Sequence, residues 1–123
     1  MASIRMLVVE DDDINREIIY QFLSFGEVTI DLAADGLEAI TCVKNNCYDI
    51  IIMDLMMPNL DGLSATRAIR ALGVHNSVDV PIIAATARDP TAELNHWLAA
   101  GITDYVRKPF SEDELWNVIN TYV

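Results

Sequence analysis

Residues 50–53 read Ile-Ile-Ile-Met and offer no polar side chain to turn toward water. A strand with one wet face alternates apolar and polar residues, whereas a strand covered on both faces does not. A run this short, soon followed by the turn-forming cluster Pro58-Asn59-Leu60-Asp61-Gly62, reads as a buried strand of a parallel sheet. Residues 81–85, Pro-Ile-Ile-Ala-Ala, have the same character. Parallel neighbours cannot be joined by a tight hairpin, so helical crossovers have to lie between them.

The chain supplies them. Strands are expected at about 4–9, 28–32, 49–53, 81–85 and 103–106, and helices at about 13–25, 36–46, 62–72, 90–100 and 112–122. Gly26, Gly73 and Gly101 stand where glycines commonly end helices. Asp89-Pro90 gives an N-cap and a first-turn proline, and Ser111 with Glu114 gives a capping box. Leu115, Val118, Ile119 and Tyr122 fall on one helical stripe, as do Ile14, Ile18 and Phe22 with Ile19 beside them. Five β/α units in 123 residues predict one domain: an α/β, doubly wound, five-stranded parallel sheet with helices on both faces. Its expected extent is 4–123, with 1–3 a short leader.

Nineteen acidic against eight basic residues give a net charge of −11, which argues against nucleic-acid binding. Cys42 and Cys47 match no common zinc spacing and are expected to be buried, inert thiols. No signal peptide and no run of membrane-spanning length is present, so a cytoplasmic protein without direct membrane contact is expected. His75 and His96 lack partners at ligand spacing and are expected on the surface. Trp97 is expected in the core, and Trp116 flanks the Leu115/Ile119 stripe at its rim.

In a parallel sheet all strand carboxyl ends share one edge, where open α/β sheets place their sites. That edge should collect Glu10 and Asp11 after strand one, Asp54 after strand three, Thr86 after strand four and Lys108 after strand five. Acids directly after buried strands are poorly placed for mere solubility. Clustered carboxylates need a cation or a proton to relieve their repulsion, and hard oxygen donors suit magnesium. A lysine and a hydroxyl suit a phosphate. The set therefore has the parts for phosphoryl transfer onto a carboxylate. Asp12 and Asp13 read as solvated or capping residues, and Asp61 as a helix cap.

The same residues carry a resemblance. Val8-Val9-Glu10-Asp11, Met53 to Pro58 with Asp61-Gly62, Ala84-Ala85-Thr86-Ala87, and Ala100 to Val106 running into Lys108-Pro109-Phe110 resemble the response-regulator receiver domains of two-component signalling, over essentially the whole chain. The resemblance implies a flavodoxin-like (βα)5 fold of strand order 2-1-3-4-5. It implies Asp54 as phosphoacceptor. Mg2+, with Mn2+ as a possible substitute, would be held by Glu10, Asp11, Asp54 and the Met56 backbone carbonyl. Lys108 and the Ala87 backbone N–H would bind phosphoryl oxygens, Thr86 would hydrogen-bond the phosphoryl group, and Tyr105 would be the aromatic switch. Lys108-Pro109 resembles the family's cis peptide. Arg88 and Met56 match positions that tune phosphate lifetime.

A signalling phosphoacceptor rather than an enzyme is thus expected. Its donor would be a histidine kinase or histidine phosphotransfer protein, and its target a downstream protein or attached effector domain. Monomer or weak dimer is expected. Three rivals stand beside this reading. An aspartyl-phosphate phosphatase usually needs an acid two residues after the nucleophile, where Met56 stands. An FMN carrier needs a phosphate-cradling first loop, where Glu10 to Asp13 would repel one. A degenerate receiver serving only as a scaffold would lack site residue types that are all present here.

Overall fold

A computed structural model describes residues 3–57 and 59–123. Met1 and Ala2 of the expected leader, and Pro58 of the expected turn, lie outside the described residues. The elements are β1 (Ile4–Val9), α1 (Asp13–Leu23), β2 (Val28–Ala33), α2 (Gly36–Asn45), β3 (Ile50–Asp54), α3 (Gly62–Leu72), β4 (Ile82–Thr86), α4 (Leu94–Ala100), β5 (Asp104–Arg107) and α5 (Glu112–Tyr122). All five strands are parallel in one sheet of order β2-β1-β3-β4-β5, the expected doubly wound, flavodoxin-like arrangement.

Successive strand side chains point to opposite faces, and this alternation builds two cores. Leu7, Val9, Ile51, Met53, Ile82 and Ala84 face Ala39, Val43, Ala65, Ile69 and Trp97 of α2, α3 and α4. Met6, Val8, Ile50, Ile52, Ile83 and Ala85 face Ile19, Leu23, Leu115 and Ile119 of α1 and α5. Every residue of β3 and β4 is buried, which explains why their sequences carry no polar alternation. Among the described residues no helix is long and apolar enough to cross a membrane.

Several expectations change. The apolar face of α1 is rotated: Ile19 and Leu23 are buried, whereas Ile14 is 73% and Ile18 44% exposed. The stripe through Ile14 and Ile18 belongs to the solvent side because Ile19 and Leu23, four apart, define the line facing the sheet. The helix expected over 90–100 is broken. Asp89 caps a 3-10 turn over Pro90–Ala92, and Glu93 leaves helical geometry at φ −120°, ψ −4° before α4 begins. The thiols are not buried: Cys42 is half-buried and Cys47 is exposed, with its Sγ 3.3 Å from Asn76 Oδ1. Strands three and four each end one residue later than expected, so Asp54 and Thr86 are their last residues.

The caps follow the sequence closely. Asp12, Asp35, Asp61 and Ser111 each accept a backbone N–H from their own helix, and Ser111 with Glu114 forms the full capping box. Trp97 is buried, and Trp116 lies half-buried with its Nε1 donating to the Phe22 carbonyl at 2.8 Å. His75 and His96 are exposed.

Gly62 connects the fold to the sheet edge. A Cβ there would overlap the Asp54 carbonyl oxygen and stand 2.8 Å from the Leu55 Cα. The first turn of α3 therefore rests directly on the backbone of Asp54, with Gly62 N donating to Leu55 O. Gly62→Ala forces that backbone apart, and it should lower unfolding free energy by about 2–3 kcal/mol in urea denaturation. A loss near zero would mean that α3 is not seated on the Asp54 backbone as described.

Candidate functional site

Each element delivers its residue to one edge through the register of the sheet. Val9 pairs with Met53 across β1 and β3, so Glu10 emerges next to Asp54. Asp54 pairs with Ala85, which puts Thr86 one residue beyond. Thr86 pairs with Arg107, so Lys108 follows at the same edge. Arg16 Nη1 donates to the Glu10 carbonyl at 2.9 Å and pairs with Asp13, tying the β1–α1 turn to α1. Arg16 has no place among the residues expected from sequence. Its only signal there is a base three residues after an acid at a helix start.

The expected acids do meet. Glu10 and Asp54 are 1% and 4% exposed, Asp11 is exposed, and one carboxylate oxygen from each lies within 4.8 Å of the others. Lys108 Nζ stands 2.8 Å from Glu10 Oε1 and 3.5 Å from Asp54 Oδ1. Met56 N–H donates to Asp54 Oδ1 at 3.1 Å, while the Met56 side chain is 58% exposed. Thr86 Oγ1 is buried and accepts the Arg88 N–H. Ala87 follows directly, and its carbonyl accepts from Arg107. The Lys108-Pro109 peptide is cis, as expected.

Tyr105, expected to be the switch, lies half-buried on β5, with its ring edge-on to Trp97 at 6.2 Å between centroids. Beside the acids, a groove of about 320 Å³ runs between α1 and the Lys108–Phe110 segment, lined by Asn15, Ile18, Phe22 and Pro109.

Electrostatically the corner is unbalanced. One ammonium faces three carboxylates, and among the described residues Asp11 has no cationic partner. Burial, followed by the Glu10 carboxylate, pushes the Asp54 carboxyl from 3.8 up to about 7, against the pull of the Met56 amide and Lys108. Burial also raises Glu10, but its hydrogen bonds to Asp54 and Lys108 outweigh this and hold it below the usual range. Lys108 is raised despite its own desolvation because both acids favour its charge. Converging hard oxygens with an excess of negative charge are the donor set a divalent ion such as Mg2+ takes.

A carboxyl raised in the folded state binds its proton more tightly there than when unfolded. Between pH 3.8 and about 7 the unfolded chain deprotonates first, so stability falls as pH rises through this window. Glu10 has the opposite sign, but its contribution is lost only at more acid pH. In chelator, Asp54→Asn should therefore exceed the parent in stability at pH 8 by on the order of 2 kcal/mol and approach it at pH 5, as read from thermal melts. A pH-independent difference would contradict a buried, charge-crowded Asp54.

Comparison with known proteins agrees with this geometry. A family model, response regulator receiver domain, matches residues 6–120. Response regulator MprA of Mycobacterium sp. (strain KMS) is 44% identical over 112 residues, which are 91% of this chain and 47% of that protein. The chain thus spans about half the length of the curated relatives it matches. The receiver domain of sensor histidine kinase PA1611 from Pseudomonas aeruginosa PAO1 superposes with a TM-score of 0.88 at 39% identity, covering 98% of each chain, and carries a magnesium ion coordinated in its active-site cleft. Chemotaxis protein CheY4 of Vibrio cholerae superposes with a TM-score of 0.93 at 25% identity, covering 99% of this chain and 100% of that one. From the strand-end geometry and these matches together, the chain belongs to the response regulator receiver domain family of two-component signalling.

Proposed function

We propose that residues 4–123 act as a phosphoacceptor switch in which Asp54 takes a phosphoryl group from the phosphohistidine of a histidine kinase or histidine phosphotransfer protein. The observation that carries this reading is the Glu10–Asp11–Asp54 cluster with Lys108 reaching both buried acids. The donor's chemistry would come from an N–P bond, and the new bond would form at an Asp54 carboxylate oxygen. The imidazole nitrogen leaves with the electron pair and takes a proton from solvent. Water later attacks the phosphorus, releases inorganic phosphate and restores the carboxylate. The domain would turn over only its own phosphate, as a timed signal rather than an enzyme with a separate substrate.

Glu10, Asp11, Asp54 and the Met56 carbonyl would hold Mg2+, with Mn2+ a possible substitute. When bound, the ion would offset the negative charge of the pocket and of the transferring oxygens. Lys108 would leave its acid partners to bind a phosphoryl oxygen, joined by the Ala87 N–H. The Thr86 hydroxyl would turn from the Arg88 amide to the phosphoryl group, and Tyr105 would move into the space it leaves. That would change the surface of α4, β5 and α5 read by a downstream protein or an attached effector domain. The exposed Ile14 and Ile18 of α1, the latter lining the groove beside Glu10 and Lys108, suit the approach of a donor helix. The net charge of −11 argues against nucleic-acid binding, and the domain would work in the cytoplasm as a monomer or weak dimer.

Intact-protein mass after incubation with Mg2+ and acetyl phosphate tests the reading. The parent should gain one labile phosphoryl group, which Asp54→Asn and a chelated sample should lack. Lys108→Ala should slow the gain about tenfold or more. A stable adduct on Asp54→Asn, or labelling in chelator at the parent's rate, would overturn it.

A further inference from the structure

The buried Thr86 Oγ1 accepts the Arg88 N–H at 3.1 Å. The Arg88 side chain pairs through its Nη1 with Glu93 Oε1 at 2.9 Å. Glu93 is the non-helical residue between the 3-10 turn and α4, and its side chain makes no capping bond to that helix. Its carbonyl nevertheless accepts the Trp97 N–H at 2.9 Å, and Trp97 packs edge-on to Tyr105. One continuous run of contacts therefore leads from the Thr86 hydroxyl through Arg88 and Glu93 to Trp97 and Tyr105.

We propose that the Arg88–Glu93 ion pair is a latch that keeps the Thr86 hydroxyl on the Arg88 amide, making Arg88 and Glu93 positioning residues for the phosphoacceptor site. This rests on the reading of Thr86 as the group that turns toward the phosphoryl oxygen. When Thr86 turns, the Arg88 N–H loses its acceptor and the backbone at Arg88 has to reorient. An Arg88 side chain anchored on Glu93 resists that reorientation. The glutamate, instead of capping α4, holds its first turn and the preceding loop in register with the resting hydroxyl. Arg88 and Glu93 side chains are 53% and 35% exposed, so the latch is weak, screened by salt and easily opened. Its effect is a bias on the two-state loop rather than a barrier to it.

Beryllium fluoride, which mimics a phosphoryl group on a carboxylate, provides the test when titrated in Mg2+ and followed through the Trp97 indole N–H resonance. Glu93→Gln and Arg88→Gln should each tighten apparent binding by about two- to fivefold at low salt. Combined, they should do no more than either alone, and the gain should vanish in 1 M NaCl. The charge-swapped protein, Arg88→Glu with Glu93→Arg, should return toward the parent. A parent that binds with single variants unchanged, or variants whose effects add or persist in high salt, would overturn the latch alone. A folded parent that does not bind beryllium fluoride would overturn the reading of Asp54 and the latch with it.

Discussion

Three carboxylates converge at the carboxyl edge of the sheet beside one ammonium that pairs with only two of them, and the rest of the site follows from that imbalance. Glu10 and Asp54 are almost fully buried, and Lys108 lies closer to Glu10. Glu10 is thus held as the anion, while Asp54 is left with a carboxyl that titrates near neutrality. A buried acid in this condition is costly until a cation or a new set of partners arrives. The corner stores a demand for positive charge beside a carboxylate oxygen, which is the condition a phosphoryl acceptor needs.

The scaffold keeps that corner from relaxing. Parallel pairing fixes where each strand ends, so the acids cannot separate without breaking the ladder. Gly62 lets α3 sit on the Asp54 carbonyl, and Arg16 fastens the Glu10 carbonyl to α1. On the opposite edge Arg70 binds the carbonyls of Ser77, Val80 and Gly101, joining α3 to the start of β4 and the end of α4. The crowded charges are therefore held by backbone placement, whereas Thr86 ends β4 and Arg88 and Glu93 lie in the segment between β4 and α4.

Much of this was legible in the residues alone. Uninterrupted apolar runs identified β3 and β4 because two-sided burial removes polar alternation, and the acids, Thr86 and Lys108 that end or follow strands predicted the shared edge. Caps at Asp12, Asp61 and Ser111 were readable because their bonds are local. What failed depended on distant partners. The face of α1 was misassigned because Ile14, Ile18 and Ile19 are equally apolar, and only packing against the sheet selects Ile19 and Leu23. The break at Glu93 lies in its backbone, at φ −120° and ψ −4°, which the helical periodicity of residues 90–100 does not register. Cys47 is exposed because its apolar character is too slight to outweigh its place in the turn before β3. The Arg16 bond to Glu10 was hidden because a donor to a backbone carbonyl leaves no sequence pattern.

The central claim is that this charge imbalance makes the Asp54 carboxylate oxygen the phosphoryl acceptor. Borohydride reduction of the phosphorylated protein, which converts an acyl phosphate on aspartate to homoserine, tests it at a single residue. Peptide mapping should find homoserine at position 54 and aspartate at positions 11, 12 and 13. Homoserine at another aspartate, with residue 54 unchanged in a protein that carries a phosphoryl group by mass, would contradict it.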